Sequence, residues 1–196
     1  MDIPLQSLEV SPAQAIGKTF GPRAGAYVID MIAFYAVSYI VAFGVGFGIA
    51  LVFMLTGREL PTFDQSQKIL SQIASLILFV VYFTVFEWLY GATLGKLILG
   101  MRVVKENGDP CNLGAALVRA LLRFIDGFFF AIPAAITMKA PLYQRFGDKS
   151  AGTIVVGAKD TVIQRPRTWT SFLAATGLYL AVHSVVILAV LITLIR

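Results

Sequence analysis

Three long apolar segments, separated by polar stretches, organise this chain. The first covers residues 24–55 and contains a single charged residue, Asp30, while the others cover about residues 69–90 and 172–195. Because about 20 residues of α-helix cross the hydrocarbon core of a bilayer, each segment is long enough to span a membrane. The pattern predicts an all-α integral membrane protein with at least three transmembrane helices.

The region between the second and third segments is less regular. Its one apolar run, residues 128–138, is interrupted by Pro133 and is short for a span, which favours a re-entrant or interfacial helical pair. If residues 113–138 do not cross the membrane, only three of the 16 basic residues lie on its outer side. If they do cross, the excess of basic residues on the cytoplasmic side disappears. Since cytoplasmic loops carry an excess of Lys and Arg, we favour three transmembrane helices with a cytoplasmic N-terminus, and four transmembrane helices are the alternative.

A weak internal repeat flanks residues 113–138, with one copy on each side. Residues 95–104 and 147–156 share a glycine followed by a charged residue, a second glycine five positions after the first, and a closing Val-Val pair. Each copy predicts a short glycine-bounded turn of helix that leads into a β-branched strand. Pairing of the two strands would form a short β-ribbon at the cytoplasmic surface, and it requires both copies on one side of the membrane.

Composition excludes several classes of protein. The chain is 58% hydrophobic and only 14% charged, which indicates one compact membrane domain. Its basic residues follow the predicted membrane boundaries without interleaved aromatic residues, so no nucleic-acid partner is expected. Cys111 and His183 are the only residues of their types, and the chain lacks the phosphate-binding loops and nucleophile motifs of enzymes. We therefore predict no enzyme, no metal site and no cofactor.

Charged residues near the predicted inner membrane surface form the candidate site. Arg23 and Asp30 lie seven residues apart on one face of the first helix, so Asp30 lies below the lipid headgroups and leans back towards Arg23. Glu87 and three residues of the re-entrant element are expected beside them. The predicted cluster contains three bases and three acids: Arg23, Asp30, Glu87, Arg119, Arg123 and Asp126.

Two interpretations of this cluster remain open. In the first, Asp30 and a second carboxylate bind a cation or carry a proton, and the arginines tune their affinity or clamp an anionic substrate. In the second, the charges neutralise one another and hold the short helices to the spans. Asp148 is expected to cap the start of a short helix, with a gating or ligand-binding role as the alternative.

Small residues recur at helical spacing along the first span. Such a face allows another helix to approach closely, so we expect a homo-oligomer or contacts with other membrane proteins within the bilayer. The predicted packing residues are Ser38, Ala42, Gly44, Gly46, Gly48 and Ala50.

Three stretches of the chain, residues 23–30, 91–104 and 144–153, together resemble the RDD family of small integral membrane proteins. The family takes its name from one arginine and two aspartates, which would be Arg23, Asp30 and Asp148. The resemblance implies a multi-pass protein of the bacterial inner (plasma) membrane. It divides the chain into a cytoplasmic N-terminal tail (1–22), an RDD-like membrane domain (23–160) and a linker with an additional C-terminal transmembrane helix (161–196).

The resemblance also implies a function. Transport of unknown ligands has been suggested for the family, and sodium/proton exchange has been attributed to some members. We therefore expect a small transporter or cation/proton exchanger with an intramembrane carboxylate site at Asp30, whose ligand is a monovalent cation or a proton. The alternative is a non-catalytic accessory or assembly subunit of a larger membrane protein complex, which docks through the first and last spans.

Overall fold

The computed structural model describes residues 16–59, 64–163 and 167–195, so most of the predicted N-terminal tail lies outside the described residues. Six helices and two strands follow one another in this part of the chain. They are α1 (Phe20–Thr56), α2 (Gln65–Leu89), α3 (Leu94–Ile98), β1 (Met101–Lys105), α4 (Leu113–Thr137), α5 (Phe146–Ser150), β2 (Thr153–Gly157) and α6 (Trp169–Ile195).

Within the described residues, three helices are long and apolar enough to cross a membrane, as predicted: α1, α2 and α6. The turn between the first two has clear end signals. Gly57 ends α1 in the left-handed conformation, with φ of 67°, which glycine adopts without steric cost. Asp64 begins α2 through a capping box. Its carboxylate accepts from the Gln67 backbone N–H, and the Gln67 side chain accepts from the Asp64 backbone N–H.

An aromatic core joins the three apolar helices. Phe34 of α1 meets Tyr82 of α2 with ring centroids 6.2 Å apart, and Tyr82 in turn meets Tyr179 of α6 at 5.4 Å. Further along α2, Phe86 packs against Phe172 at 5.6 Å. These pairings make neighbouring helices antiparallel, so α2 lies between α1 and α6 and the chain runs up, down and up again.

The second half of α1 stands apart from this core. Tyr39 and Phe43 are 73% and 75% exposed, and no residue of the most apolar window of α1 is buried within the chain. A Cβ added at Gly44, Gly46 or Gly48 would meet no atom within 4 Å. The three glycines of the predicted small-residue face therefore meet no other described element of this chain, whereas Ser38 and Ala42 line a cavity shared with α2 and α6.

The predicted β-ribbon is present. Strands β1 and β2 pair antiparallel, with Val103 opposite Val155 and Val104 opposite Ile154. Each strand is preceded by a short helix, α3 or α5, and by a glycine with positive φ, Gly100 at 63° and Gly152 at 58°. Only glycine reverses the chain there without steric cost, so the repeat found in the sequence corresponds to a repeated helix–glycine–strand unit.

Helix α4 connects the two units and is longer than expected. The sequence singled out residues 128–138 and suggested a break at Pro133, whereas α4 begins at Leu113, with the Asn112 side chain accepting from the Ala115 N–H, and continues to Thr137. Its charged face packs on α2, and this contact sustains a helix whose apolar part alone is short. The helix is not among the three apolar enough to cross a membrane.

One end of the three-helix bundle carries all of these additional elements. It contains the start of α1, the end of α2 and the start of α6, where Tyr90 stacks on Trp169 with centroids 6.1 Å apart. We call it the ribbon end. The ribbon, α3, α4 and α5 pack there, and they bring the charged residues of the chain together.

Candidate functional site

Glu87, near the end of α2, is held by three cations at the ribbon end. Its Oε1 accepts from Lys96 Nζ at 2.9 Å and from Arg123 Nη2 at 3.0 Å, and its Oε2 accepts from Arg119 Nε at 2.7 Å. The carboxylate is completely buried. A buried charge is costly unless it is paired and hydrogen-bonded, and these contacts meet that requirement.

Asp148, in α5, is the centre of a second ion-pair group. It bonds Arg23 from α1, Arg119 from α4 and Arg145, which directly precedes α5, and it also accepts from the backbone N–H of Arg145. Burial by itself would raise the pKa of the Asp148 carboxyl, but the charges of Arg119, Arg23 and Arg145 outweigh burial and hold the pKa well below its usual range. Asp148 therefore caps the start of α5 as expected, from the third position of the helix, where its carboxylate accepts from the Arg145 N–H, and it is also an ion-pair centre.

Arg119 connects the two groups. It reaches Glu87 through Nε, and it reaches both Asp148 and the Thr153 hydroxyl through Nη1. Burial would lower the pKa of Arg119, but Asp148 and Glu87 raise it above the ordinary value. A planar guanidinium presents several donors in fixed directions, so one arginine is able to tie α4 to α2, α5 and β2 at once.

Arg123 and Lys96 are less well compensated. The Arg123 guanidinium lies 3.7 Å from the centre of the Phe83 ring, and burial together with the nearby positive charge of Arg145 lowers its pKa to about 10. Burial lowers the pKa of Lys96 to about 8, although Glu87 opposes this shift. The negative charge near these two residues therefore offsets only part of the cost of burying their positive charges.

Asp126 fastens α4 to the start of α5. Its carboxylate accepts from the backbone N–H groups of Phe146 and Gly147, each at 3.2 Å, and lies 3.4 Å from Arg145 Nε. A Cβ on Gly147 would come within 3.0 Å of Asp126, so glycine permits the close approach. Acidic groups are stabilised by such free N–H groups at helix starts.

Asp30 differs from the other acids of the cluster. It is completely buried, and its carboxylate accepts from the Tyr82 hydroxyl at 2.9 Å, the Thr93 hydroxyl at 2.6 Å and the Gly95 N–H at 2.7 Å. Within the described parts of the chain no cation forms an ion pair with it. The expected approach of Arg23 does not occur, because Arg23 turns to Asp148 and to the Tyr143 carbonyl.

The contact of α3 with α1 explains the surroundings of Asp30. A Cβ on Gly95 would lie 2.0 Å from the Ala26 carbonyl oxygen, so only glycine lets the two backbones meet this closely. The same contact brings the Gly95 N–H and the Thr93 hydroxyl onto the carboxylate. Seven residues of helix place Arg23 about 10.5 Å from Asp30 along α1. The donors at the start of α3 are closer and therefore bond the Asp30 carboxylate.

A chamber of about 330 Å³ lies between α1, α2 and α6, further from the ribbon end than Asp30. Its wall includes three serines, the buried His183 and two tyrosines among apolar side chains; the polar residues are Tyr35, Ser38, Tyr39, Ser71, Ser75 and His183. His183 Nδ1 lies 3.1 Å from the Tyr179 hydroxyl, while His183 Nε2 and Ser38 Oγ have no hydrogen-bond partner among the described residues. The chamber therefore combines an apolar lining with a few unused polar atoms.

The structure places six of the seven charged residues that the sequence predicted in connected ion-pair groups. They are Arg23, Glu87, Arg119, Arg123, Asp126 and Asp148. Sequence reasoning identified these residues but not every partner. It missed Lys96, Arg145, Tyr82 and Thr93. The first two lie within or beside the internal repeat, and that position was a usable signal. Tyr82 and Thr93 carry no such signal, because an aromatic residue in a span and a threonine before a helix are both common.

The carboxylates of the cluster are already occupied by donors within the chain. In residues 16–59, 64–163 and 167–195, no group of three or more His, Cys, Asp or Glu side chains is placed to hold a metal ion. Most of its carboxylates are engaged by arginine or lysine, and Asp30 is engaged by neutral donors.

Comparison with known proteins agrees with the three motifs. A sequence model described as the RDD family matches residues 18–152, which include Arg23, Asp30 and Asp148. No curated protein and no solved structure matched the chain. RDD proteins are small membrane proteins, and the three apolar helices fit a multi-pass arrangement. With the matched region covering more than half of its residues, this chain belongs to the RDD family.

Proposed function

We propose that the protein is a small transporter that exchanges a monovalent cation for protons at Asp30. The observation that supports this proposal most directly is the contrast between Asp30 and the other buried acids. Glu87 and Asp148 are each bonded by three cations, whereas Asp30 is bonded only by neutral donors. Asp30 is the acid that gains or loses a proton without breaking an ion pair.

Two tyrosines, Tyr82 and Tyr179, lie between Asp30 and the chamber wall. Tyr82 donates to Asp30 and packs against Tyr179, whose hydroxyl lies 3.1 Å from His183 Nδ1 at the chamber wall. Tyrosine and histidine side chains both donate and accept hydrogen bonds, so they are suited to pass protons. We infer that protons and cations reach Asp30 from the chamber along these residues.

A second set of groups leads from Asp30 towards the ribbon end. Thr93 donates to Asp30 and lies 3.4 Å from Lys96 Nζ, which is bonded to Glu87. In this proposal the ion-pair groups are the rigid part of the transporter. They tie α3 to α2 through Lys96 and Glu87, and their positive charge favours release of a cation from Asp30.

The first test is Asp30→Asn in the full chain, reconstituted into liposomes that contain a pH-sensitive dye. An inward gradient of sodium or potassium chloride should drive proton efflux with the unchanged protein and none with the variant. Asp64→Asn is the matched control, since Asp64 is exposed at the far end of α2 and asparagine also caps helices. Proton efflux that survives in Asp30→Asn would rule the proposal out.

The second test asks whether the chamber is the route. Tyr82→Phe keeps the aromatic ring and removes the hydroxyl that bonds Asp30, so exchange should slow several-fold. Tyr90→Phe makes the same chemical change on a tyrosine that stacks on Trp169 at the ribbon end and does not line the chamber, so it should leave the rate unchanged. Equal rates for the two variants would place the path elsewhere.

A second candidate function is that of an accessory or assembly subunit. It is favoured by α1, whose second half has no buried residue in its most apolar window and whose glycines meet no other part of the described chain. Another membrane protein could cover that face through its small residues. Purification in mild detergent distinguishes the two candidates: a stoichiometric partner together with absence of exchange supports the subunit, and exchange by the isolated protein supports the transporter.

A further inference from the structure

A second cavity, of about 250 Å³, lies between the start of α1 and the later turns of α4 at the ribbon end. Three guanidinium groups line it, from Arg23, Arg123 and Arg145. We call it the arginine cavity. Its remaining walls are mainly apolar and include Phe20, Ala24, Val28, Ala134 and Met138.

Two of the three arginines have unused donors. Arg123 Nε and Arg145 Nη2 are buried and have no hydrogen-bond partner among the described residues, and the Arg123 side chain is only 5% exposed. A buried donor without a partner costs free energy, more so when it belongs to a charged group. A ligand that brings acceptor oxygens into the cavity would remove that cost.

The charges of the cluster are also unbalanced. Five buried or half-buried cations, Arg23, Lys96, Arg119, Arg123 and Arg145, face the three acids to which they are bonded, Glu87, Asp126 and Asp148. Even with Asp30 included there are four acids, so positive charge is in excess.

Asp126 also lines the arginine cavity, but its two oxygens are occupied by the N–H groups of Phe146 and Gly147 and by Arg145. The positive charge of Arg145 contributes, after burial, to the lowered pKa of Arg123. Three of the five cations and two buried donors without a partner, Arg123 Nε and Arg145 Nη2, therefore lie on the wall of one cavity.

The shape and lining of the cavity narrow the choice of anion. Guanidinium groups bind phosphate oxygens through paired hydrogen bonds. The volume is below the range of about 300–1,000 Å³ typical for whole small-molecule ligands, so the cavity holds a headgroup and not a complete lipid. Phe20 and Val28, 38% and 57% exposed, extend the apolar lining outwards, where acyl chains would lie.

We propose that the arginine cavity binds the phosphate group of an anionic phospholipid from the leaflet that surrounds the ribbon end. The arginines hold the phosphate, and the apolar side chains at the mouth contact the start of the acyl chains. The lipid would then complete the charge balance of the cluster and fix α4 against α1.

The test measures thermal stabilisation of the purified full chain in an uncharged maltoside detergent, followed by tryptophan fluorescence. The added probes are dioctanoyl phosphatidylglycerol, dioctanoyl phosphatidylcholine and inorganic phosphate. A ligand that binds only the folded state raises the melting temperature with its concentration, which yields an affinity. We expect phosphatidylglycerol to bind at least about tenfold more tightly than phosphatidylcholine, whose zwitterionic headgroup carries a choline cation that the arginines repel.

Inorganic phosphate separates a lipid site from a free-anion site. It should stabilise the protein much less than phosphatidylglycerol, because it gains nothing from the apolar mouth. Equal stabilisation by inorganic phosphate would overturn the assignment to a lipid. Equal stabilisation by the two lipids, or none by either, would overturn the role of the arginines.

Paired variants locate the site. Ala134→Leu fills the cavity without removing a charged group, and it should remove the preference for phosphatidylglycerol. Ala135→Leu, one residue further along α4 and exposed, should keep the preference. If the preference survives in Ala134→Leu, the lipid binds elsewhere and the proposal fails.

A variant that has lost its fold is recognised by alkylation of Cys111, which is buried in the native protein. Should Ala134→Leu fail in this way, Arg145→Lys decides, because it keeps the charge and loses the planar pair of donors. Its affinity for phosphatidylglycerol should fall about tenfold, and an unchanged affinity would contradict the proposal. None of these measurements involves transport, so their outcome is independent of the exchange proposed at Asp30.

Discussion

At the scale of single residues, buried acids of this protein fall into two kinds. Glu87 and Asp148 are surrounded by cations, and Asp30 is surrounded by hydroxyl and amide donors. Proton uptake by the first kind would break ion pairs and leave buried cations without a negative partner. Proton uptake by the second kind would break no ion pair. For this reason we assign exchange to Asp30 and a structural role to the others.

Asp148→Asn tests the structural role. It leaves three arginines facing one charge fewer, so the free energy of unfolding should fall by about 3–5 kcal/mol near neutral pH. Because the pKa of Asp148 is lowered by folding, its stabilisation is complete above the ordinary value of 3.8 and is lost as the pH falls through the lowered pKa. The difference in melting temperature between the two proteins should therefore shrink below pH 3.8, measured by tryptophan fluorescence in detergent.

Asp109→Asn is the control for this measurement. Asp109 is half-exposed in the turn after β1, and its carboxylate accepts a hydrogen bond from the Asn107 side chain. It should melt like the unchanged protein at each pH. A difference for Asp148→Asn that stays constant with pH would show that the carboxylate charge is not what stabilises the fold.

At the scale of elements, the two helix–glycine–strand units decide how the ribbon end is built. Each unit places a charged residue directly after a glycine at the start of a short helix, Lys96 after Gly95 and Asp148 after Gly147. Antiparallel pairing of β1 with β2 brings the two units together, so a cation and an anion from the same repeat position enter one ion-pair network. The repeat thus supplies opposite charges from equivalent places.

Gly152→Ala tests the turn within the second unit. Gly152 has φ of 58°, where a side chain costs about 1–2 kcal/mol, so this variant should be destabilised by that amount. Gly177→Ala is the matched control, because Gly177 lies in α6 with no atom within 4 Å of an added Cβ, and alanine favours helix there. The rate of Cys111 alkylation with rising temperature reports both. Equal stability of the two variants would contradict the requirement for glycine.

At the scale of the whole molecule, the ribbon constrains how the chain enters the membrane. Strands β1 and β2 are on either side of α4 in sequence and pair with each other. Met138, just after α4, lines a cavity together with Phe20 at the start of α1. Both ends of α4 therefore lie at the ribbon end, as expected for an interfacial or re-entrant helix and not for a fourth span.

Site-directed labelling tests this topology in intact cells. A cysteine at Lys149, which is exposed in α5, should react with a membrane-impermeant maleimide only after the cytoplasm is opened, because most Lys and Arg residues lie at the ribbon end. A cysteine at the exposed Arg58 should react from outside. Native Cys111 contributes little, since it is buried and burial raises its pKa to about 11. Labelling of both positions from the same side would exclude the three-span arrangement.

Some features of the protein follow from the order of residues alone. Apolar length determines three spans, because a helix of that composition is stable only where lipid replaces water. The glycine spacing and the Val-Val pairs of the repeat determine two short strands, since both are local preferences of the backbone. The membership of Arg23, Glu87, Arg119, Arg123 and Asp126 in a charge cluster is also predictable, because charges near lipid must find partners.

The tertiary structure alone decided which charge meets which. Arg23 and Asp30 share a helix face, yet Arg23 bonds Asp148, 125 residues away, and Asp30 bonds donors of α2 and α3. That choice depends on the approach of α3 to α1 at Gly95 and on the pairing of β1 with β2, which are contacts between distant parts of the chain. A hydrogen bond acts over about 3 Å, and sequence spacing specifies no distance of that kind between separate elements.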